Sequence, residues 1–518
     1  MRSPRSRRAA VLLAGALASL AVSALSLREG LLRRRVSLCA QRRAYLHYDI
    51  VVLRLNSRDA ALDARWRARA PRLGAERAGR IVPTVGGVFF ETAERVAPGV
   101  WTARWPVPWN APAGEYFPVL AGAGLGSRLD TRPFRIERRV PRPLPPGFVA
   151  ATLETADPLA SFSVLGPDGR REDWRGLLDW AKALRADAVW MLGGQSPGER
   201  GSVWRAGNIV RLDEVARECR SRGLKFGVYA EYSLTASTDG ERVGGYEYAR
   251  EVQDGRPRLT RAISLRDPRR PADAAAFLKP FAEDPAVDFV GLDYIRNALG
   301  GDELVDDFAA EMPGLALPPE WPRLTRAERM VWLARKRVMR GDAAFLDAWN
   351  WWRARRAALI VREVRARLGA GKPLWVFTLT WDKGWQHGQD AAMMNDAGAD
   401  VDALMFYQAD RRQFAAMLKQ WHSYLRRGDA QVAPGEIFDW DLHQRDPSGP
   451  AEFSRRLDAA LARVYADGPA QAAFFHDLAR LASGRRLGPW GARGWARAAR
   501  GVADRLKSRA AAATEKRP

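Results

Sequence analysis

The stretch AVDFVGLDYIR, residues 286–296, decides the fold. Val287, Phe289, Val290 and Leu292 form the apolar run of a strand buried on both faces, and the run stops at an acid, an aromatic and a base, Asp293, Tyr294 and Arg296. A buried strand has no use for an unpaired carboxylate, because taking that charge out of water is costly. The C-terminal end of a buried parallel strand is, however, where (β/α)8-barrel enzymes carry their catalytic groups. Residues two apart share a strand face, so Gly291 and Asp293 point the same way, and the glycine leaves room beside the acid. A plainer role also fits, in which Asp293 caps the next loop and pairs with Arg296.

Outward from this segment the chain alternates short apolar runs with helical ones, the signature of βα units. Strands are expected at 148–154 (FVAATLE), 187–192 (DAVWML), 224–232 (LKFGVYAEY), 286–293, 373–382 (PLWVFTLTWD), 401–408 (VDALMFYQ), 432–438 and 470–478 (AQAAFFHDL). Helices are expected at 174–184, 212–222, 272–281, 357–368, 414–425 and 451–465. Eight strands over residues 148–490 predict a (β/α)8 (TIM) barrel with long insertions. One insertion, residues 297–348, reads as a short helical excursion over the mouth of strand four, with Asp306, Asp307 and Glu311 on a solvated helix face.

The passage SLRDPRRPADAAAFLKPFAEDPAVDFVGLDYIR, residues 264–296, resembles bacterial glycoside-hydrolase-like barrels distantly related to the α-amylase and α-galactosidase barrels. WNWWRARRAALIVREV at 349–364, followed by KPLWVF, is similar to the same group. The resemblance implies that Asp293 is the nucleophile or key carboxylate. The sequence departs from that pattern with Phe289-Val290 where glycine is common, and with no Glu at the end of strand five.

Glycoside cleavage needs two carboxyl groups across the scissile bond, one protonated and one ionised. Nearly every expected strand top offers an ionisable group: Glu154, Glu231, Asp382, Asp410, Asp439 with Asp441, and His476 with Asp477. Asp382 ranks first as partner of Asp293, since α-amylase-like barrels hold their acid near there. Asp410 follows, from the strand-six position of α-galactosidase-like barrels, and then Glu231. Arg296 is expected to hold Asp293 ionised. Aromatic faces stack on the apolar C–H surfaces of sugars, so Tyr294, Trp381, Trp385, Tyr407 and Trp440 are expected at the substrate, with His387, Gln408, Asp439 and His476 bonding hydroxyls. For any one Trp, filling a core is the commoner use.

No closely spaced metal-ligand set appears, nor a Gly-rich phosphate loop or a G-x-S-x-G elbow, so neither metal nor cofactor is expected. The net charge of +23 comes overwhelmingly from scattered arginines. No nucleic-acid recognition motif accompanies it, and the expected partner is a polysaccharide.

Residues 1–27 combine a basic start with an apolar stretch and small residues, as in an export signal or an uncleaved N-terminal membrane anchor. The protein is accordingly expected to be periplasmic, secreted or held at the cell envelope. Residues 44–137 show short β-like runs broken by Gly, Pro and Asn, which predicts an all-β, immunoglobulin-like sandwich. It is expected to space or support the barrel; sugar binding by its Trp101, Trp105 and Trp109 is the lesser alternative. The Pro-rich residues 138–147 read as a semi-rigid linker. Residues 491–518 read as a basic tail, amphipathic enough to touch a membrane surface. Cys39 and Cys219 make no disulfide framework. A barrel that binds polysaccharide without cleaving it, serving assembly or export, is the alternative from another class, and transfer between sugars is a third.

Overall fold

Eight parallel strands pair in chain order and close on themselves: β1 (Phe148–Leu153), β2 (Ala188–Gln195), β3 (Lys225–Glu231), β4 (Phe289–Asp293), β5 (Leu374–Leu379), β6 (Val401–Met405), β7 (Val432–Ile437) and β8 (Ala472–His476). Closure is the pairing of β1 with β8, Phe148 opposite Ala472 and Ala151 opposite Phe475. The computed structural model describes residues 36–122, 129–154, 159–195, 206–233, 245–296, 301–338, 341–380, 387–408, 410–425, 430–440, 449–464, 472–484 and 486–515.

Parallel strands under a ring of helices are buried on both faces, hence their continuous apolar runs. The period of two still decides what faces the barrel axis. Phe148, Trp190, Phe289 and Trp375 meet at one level, with the Trp190 ring centroid 5.0 Å from Trp375 and 5.6 Å from Phe289. Tyr229, Phe377 and Phe474 follow above, and polar residues end the strands. The space beside Gly291 is taken by the barrel's own rings: a Cβ there would stand 2.9 Å from the Trp190 ring. The glycine admits a core tryptophan, a different use from the room beside the acid expected from sequence.

The helices that return the chain are Arg175–Ala183, Ala206–Ser221, Arg270–Glu283, Ala343–Leu368, Ala391–Ala397, Arg411–Leu425, Pro450–Val464 and Gly491–Glu515. The fifth has no counterpart in the sequence reading. All seven of its residues, Asn395 and Asp396 included, are buried, so it has no exposed face and no amphipathic period. The last corrects the basic tail, and the barrel runs past residue 490. Trp495, Ala499, Val502, Ala503 and Leu506 recur at helical spacing and are buried, with the Trp495 ring 5.8 Å from Phe453. The amphipathic stripe is real, but the surface it covers is the barrel.

The loop after β3 holds an antiparallel hairpin, Tyr248–Gln253 with Arg256–Ile263. The insertion after β4 carries helices Val305–Glu311 and Arg326–Val338, with Asp306 ion-paired to Arg329 at 2.6 Å and Glu311 to Arg355.

Residues 36–45, 49–137 and 312–316 form a second compact unit. It has two mixed sheets whose inward residues, among them Leu38, Leu53, Leu55, Trp101, Trp105, Tyr116 and Phe134, make one core. Its first described strand, Val36–Ala40, pairs with Ile50–Ser57 and Leu129–Arg132, so this unit begins before residue 44. Helix Ala60–Ala68 is capped by the Asp59 side chain. Trp101 and Trp105 are 4 % and 0 % exposed; they belong to the core, which removes the alternative that these two meet sugar. Cys39 and Cys219 are both free thiols, and burial pushes the Cys219 thiol up to about 12. Among the described residues no helix is long and apolar enough to cross a membrane.

Candidate active site

Above the aromatic layers a cavity of about 240 Å³ opens at the C-terminal ends of the strands. Its floor is apolar, with Phe377, Met405, Ile437 and Phe474, and its walls carry Thr152, Glu154, Tyr229, Asp293, Tyr294, Arg296, Tyr407, His476 and Arg480. An apolar cup with a few convergent polar groups is the usual form of a small-molecule site.

β4 ends on Asp293, and the chain turns sharply, with Tyr294 in the left-handed region at φ +54. A bulky residue adopts that conformation only under constraint. Ser233 supplies it, its hydroxyl donating to Tyr294 O at 2.6 Å and to Arg296 O at 3.0 Å. The turn sends Arg296 back over Tyr294, the guanidinium 4.1 Å above the ring. Asp293 Oδ1 accepts from Tyr294 N at 2.6 Å and from Arg296 Nη1 at 3.2 Å. Burial pushes the Asp293 carboxyl up and outweighs Arg296, which pulls the other way. Arg296 lowers the Asp293 pKa, as expected from sequence, but the net direction is upward because the desolvation of a buried carboxylate outweighs one ion pair of this length.

Across the cavity, His476 Nε2 lies 3.1 Å from Glu154 Oε2 and its Nδ1 2.8 Å from Thr152 Oγ1. Tyr407 stacks on the imidazole, ring centroids 5.3 Å apart and planes 8° from parallel. Burial disfavours the Glu154 charge, but the His476 hydrogen bond and charge prevail and hold its carboxyl below the usual range. The same pairing raises His476 against its burial. Asp477 accepts from Glu154 N at 3.0 Å and Arg480 N at 2.8 Å, and burial pushes it up to about 6. Two carboxyl groups on one cavity are thus driven in opposite directions, Asp293 toward the acid and Glu154 toward the carboxylate.

Glu154, His476 and Asp477 offer ligand atoms within 4.8 Å of one another, a clustering the sequence did not suggest. His476 Nε2 faces Glu154, both Asp477 oxygens take backbone N–H groups, and Arg296 and Arg480 share the cavity. That is the chemistry of an ion-pair network, and two guanidinium groups oppose a cation there.

No protein-family model and no curated protein matches this chain. Among solved structures it is similar to a chitinase from Rhizomucor miehei, at 12 % identity and a TM-score of 0.37 over 68 % of this chain and 99 % of that one. An α-galactosidase from Thermus thermophilus shows 14 % identity and a TM-score of 0.35 over 82 % and 75 %. The old yellow enzyme from Trypanosoma cruzi shows 11 % and 0.32 over 65 % and 88 %. Likenesses at this level decide nothing about activity.

Of the residues expected from sequence, Asp293, Tyr294, Arg296, Tyr407 and His476 line the cavity. Glu231 ends β3 in register with Asp293 and is buried, but it is not part of the cavity wall. Asp410 lies elsewhere: its carboxylate accepts from Gln413 N at 2.8 Å at the start of helix Arg411–Leu425, the loop-cap role that competes with catalysis for any Asp after a strand. Asp439 is fully buried and holds Arg480 at 2.7 Å and Arg486 at 3.2 Å, so it positions a wall residue. Burial, with the charges of Arg296 and Arg353, pushes the His387 imidazole down to about 4. Gln408 closes the 3-10 turn Phe406–Gln408, and Trp440 sits outside the cavity wall against Trp490. Trp381, Asp382 and Trp385 lie outside the described residues.

The sequence does not single out Thr152, Tyr229 or Arg480, and it offers Glu154 as a strand-end candidate for the second carboxylate without ranking it. The parity of β1 and β3 carried a signal: Phe148, Ala150, Thr152 and Glu154 share one face, as do Tyr229 and Glu231. Arg480 carried none, because Asp439 draws it in from a helix after β8.

Proposed function

We propose that the protein is a glycoside hydrolase acting on an extracellular or cell-envelope polysaccharide, with Asp293 as general acid and Glu154 as the ionised carboxylate. The observation that carries this reading is the pair itself, two carboxyl groups at strand ends on one cavity with pKa values pushed apart, the arrangement that sorts acid from base. Asp293 Oδ1 takes both hydrogen bonds, which leaves Oδ2 to hold the proton. That proton passes to the glycosidic oxygen as its bond to the anomeric carbon breaks. Glu154 stabilises the positive charge growing at that carbon and either attacks it or takes a proton from an attacking water. Tyr229, Tyr294 and Tyr407 supply aromatic edges and hydroxyls of the kind sugar sites use. His476 keeps Glu154 charged through the cycle.

The reading extends to the rest of the chain. The N-terminal unit, of immunoglobulin-like type in this proposal, supports the barrel, and residues 1–27 direct export or anchor the protein.

The test is reducing-end release from a panel of neutral and acidic bacterial polysaccharides by the full chain, Asp293→Asn and Glu154→Gln. Each substitution is expected to lower kcat by about 10²–10⁴, the usual worth of a positioned acid or base. A parent protein that cleaves nothing yet retains a polymer on an affinity gel overturns the hydrolase and favours a binding barrel. Equal cleavage by parent and variants removes these carboxylates from the chemistry.

A further inference from the structure

Trp490 is the one exposed Trp among the described residues, at 46 %, whereas Trp190, Trp349, Trp375 and Trp495 are fully buried. An indole left in water forgoes the stabilisation its burial would bring, so its position calls for a reason. Trp490 stands edge-on to Trp440, ring centroids 6.4 Å apart and planes at 67°. Two glycines make the arrangement possible. A Cβ at Gly488, which has φ +61, would stand 2.8 Å from the Trp440 ring, and one at Gly449 would stand 2.7 Å from the Trp490 ring.

The pair belongs to the catalytic face. Trp440 follows the end of β7 by three residues, and Trp490 lies in the connection from β8 to the last helix. It is also tied to the cavity wall. Trp440 N donates to Arg486 O at 2.8 Å, and Arg486 and the wall residue Arg480 share the Oδ2 of Asp439, which immediately precedes Trp440. The Arg486 side chain is itself 60 % exposed, a set of hydrogen-bond donors on the residue whose backbone carbonyl holds Trp440 N.

We propose that Trp440 and Trp490, with Arg486, form a second carbohydrate subsite, which takes a hexopyranose unit of the same polysaccharide at a distance from the cleavage point. It rests on the glycosidase reading of the cavity and deepens it, since the substrate becomes a polymer held along the β7–β8 side of the barrel mouth. The apolar C–H face of a pyranose stacks on the indole and its hydroxyls accept from the guanidinium, the pairing of apolar body and polar rim that exposed aromatic patches at ligand grooves provide.

The test is isothermal titration calorimetry on the full chain carrying Asp293→Asn, with trimers and octamers of cellulose, chitin and polygalacturonate as probes. The octamer of at least one series is expected to bind more tightly than its trimer. Trp490→Ala in that background is expected to cut this gain about tenfold, an aromatic contact of about 1.4 kcal/mol, and Trp490→Phe to restore part of it. A gain equal in all three proteins overturns the subsite, as does concentration-dependent self-association lost in Trp490→Ala, which would make the pair a contact between copies. Absence of binding by every oligomer overturns it also. Reducing-end release by the unsubstituted protein separates the two claims: cleavage with no effect of Trp490 on chain-length preference leaves the hydrolase and removes the subsite, and octamer binding through Trp490 without cleavage does the reverse.

Discussion

His476 is held at both ring nitrogens, Nε2 3.1 Å from Glu154 and Nδ1 2.8 Å from Thr152, beneath a stacked Tyr407. Such an imidazole cannot turn away from the carboxylate, so its charge acts on Glu154 at fixed range.

The pair makes stability depend on pH in a defined window. The lowered pKa of Glu154 contributes stability above its unfolded value near 4.5, lost as pH falls through the folded value. The raised pKa of His476 contributes below 6.5 and is lost as pH rises through the folded value. The Tm deficit of His476→Gln is therefore expected to be largest between about pH 4.5 and 6.5 and to shrink on either side. A deficit of constant size across that range would sink the pairing.

Activity should report the same groups. If Asp293 is the acid, kcat/KM falls as pH rises through its raised pKa. Arg296 opposes that rise, so Arg296→Gln is expected to move the alkaline limb of the profile upward while lowering its maximum. His476→Gln is expected to move the acid limb upward, because burial then acts on Glu154 with only the smaller pull of Arg480 and Arg296 against it. Profiles of both variants against the parent check this, and unmoved limbs would assign them to other groups.

The glycines of the barrel axis leave no space for a methyl group. A Cβ at Gly435 would stand 2.2 Å from the Phe474 ring, and one at Gly227 2.7 Å from Trp190. Gly435→Ala is expected to cost about 1–3 kcal/mol by overpacking and to disturb the cavity floor, where Phe474 lies. Denaturant titration gives the first effect and KM the second.

Asp402 faces away from the axis, fully buried beside Thr378, and burial pushes its carboxyl up to about 8. The folded protein keeps a proton that the unfolded chain releases above about 3.8, so this residue weakens the fold progressively as pH rises from there to about 8. Asp402→Asn is expected to flatten that decline, with a Tm above the parent's at pH 8 and little difference at pH 4. Thermal melts of both proteins across the range decide it.

Much of the barrel was legible because buried parallel strands advertise themselves. Seven of the eight strands fall within the expected runs and the eighth, β2, runs three residues past its expected end, to Gln195, and Asp293 is visible as an acid where an apolar run stops. The missing elements lacked periodicity: helix Ala391–Ala397 has no exposed face, and the period of the last helix was clear while the surface it packs on was not. At the site, Tyr294, Arg296, Tyr407 and His476 could be named from strand ends, whereas Asp410 in an equivalent place turned out to be a helix cap.

By itself, then, the sequence determined the strands and the acid that ends β4, since these follow from continuous apolar runs and from the cost of burying charge. Only the tertiary structure decided which carboxyl answers Asp293. Glu154 and His476 lie 322 residues apart and meet because β1 closes on β8, and whether each acid keeps its proton depends on burial and on neighbours that closure alone supplies.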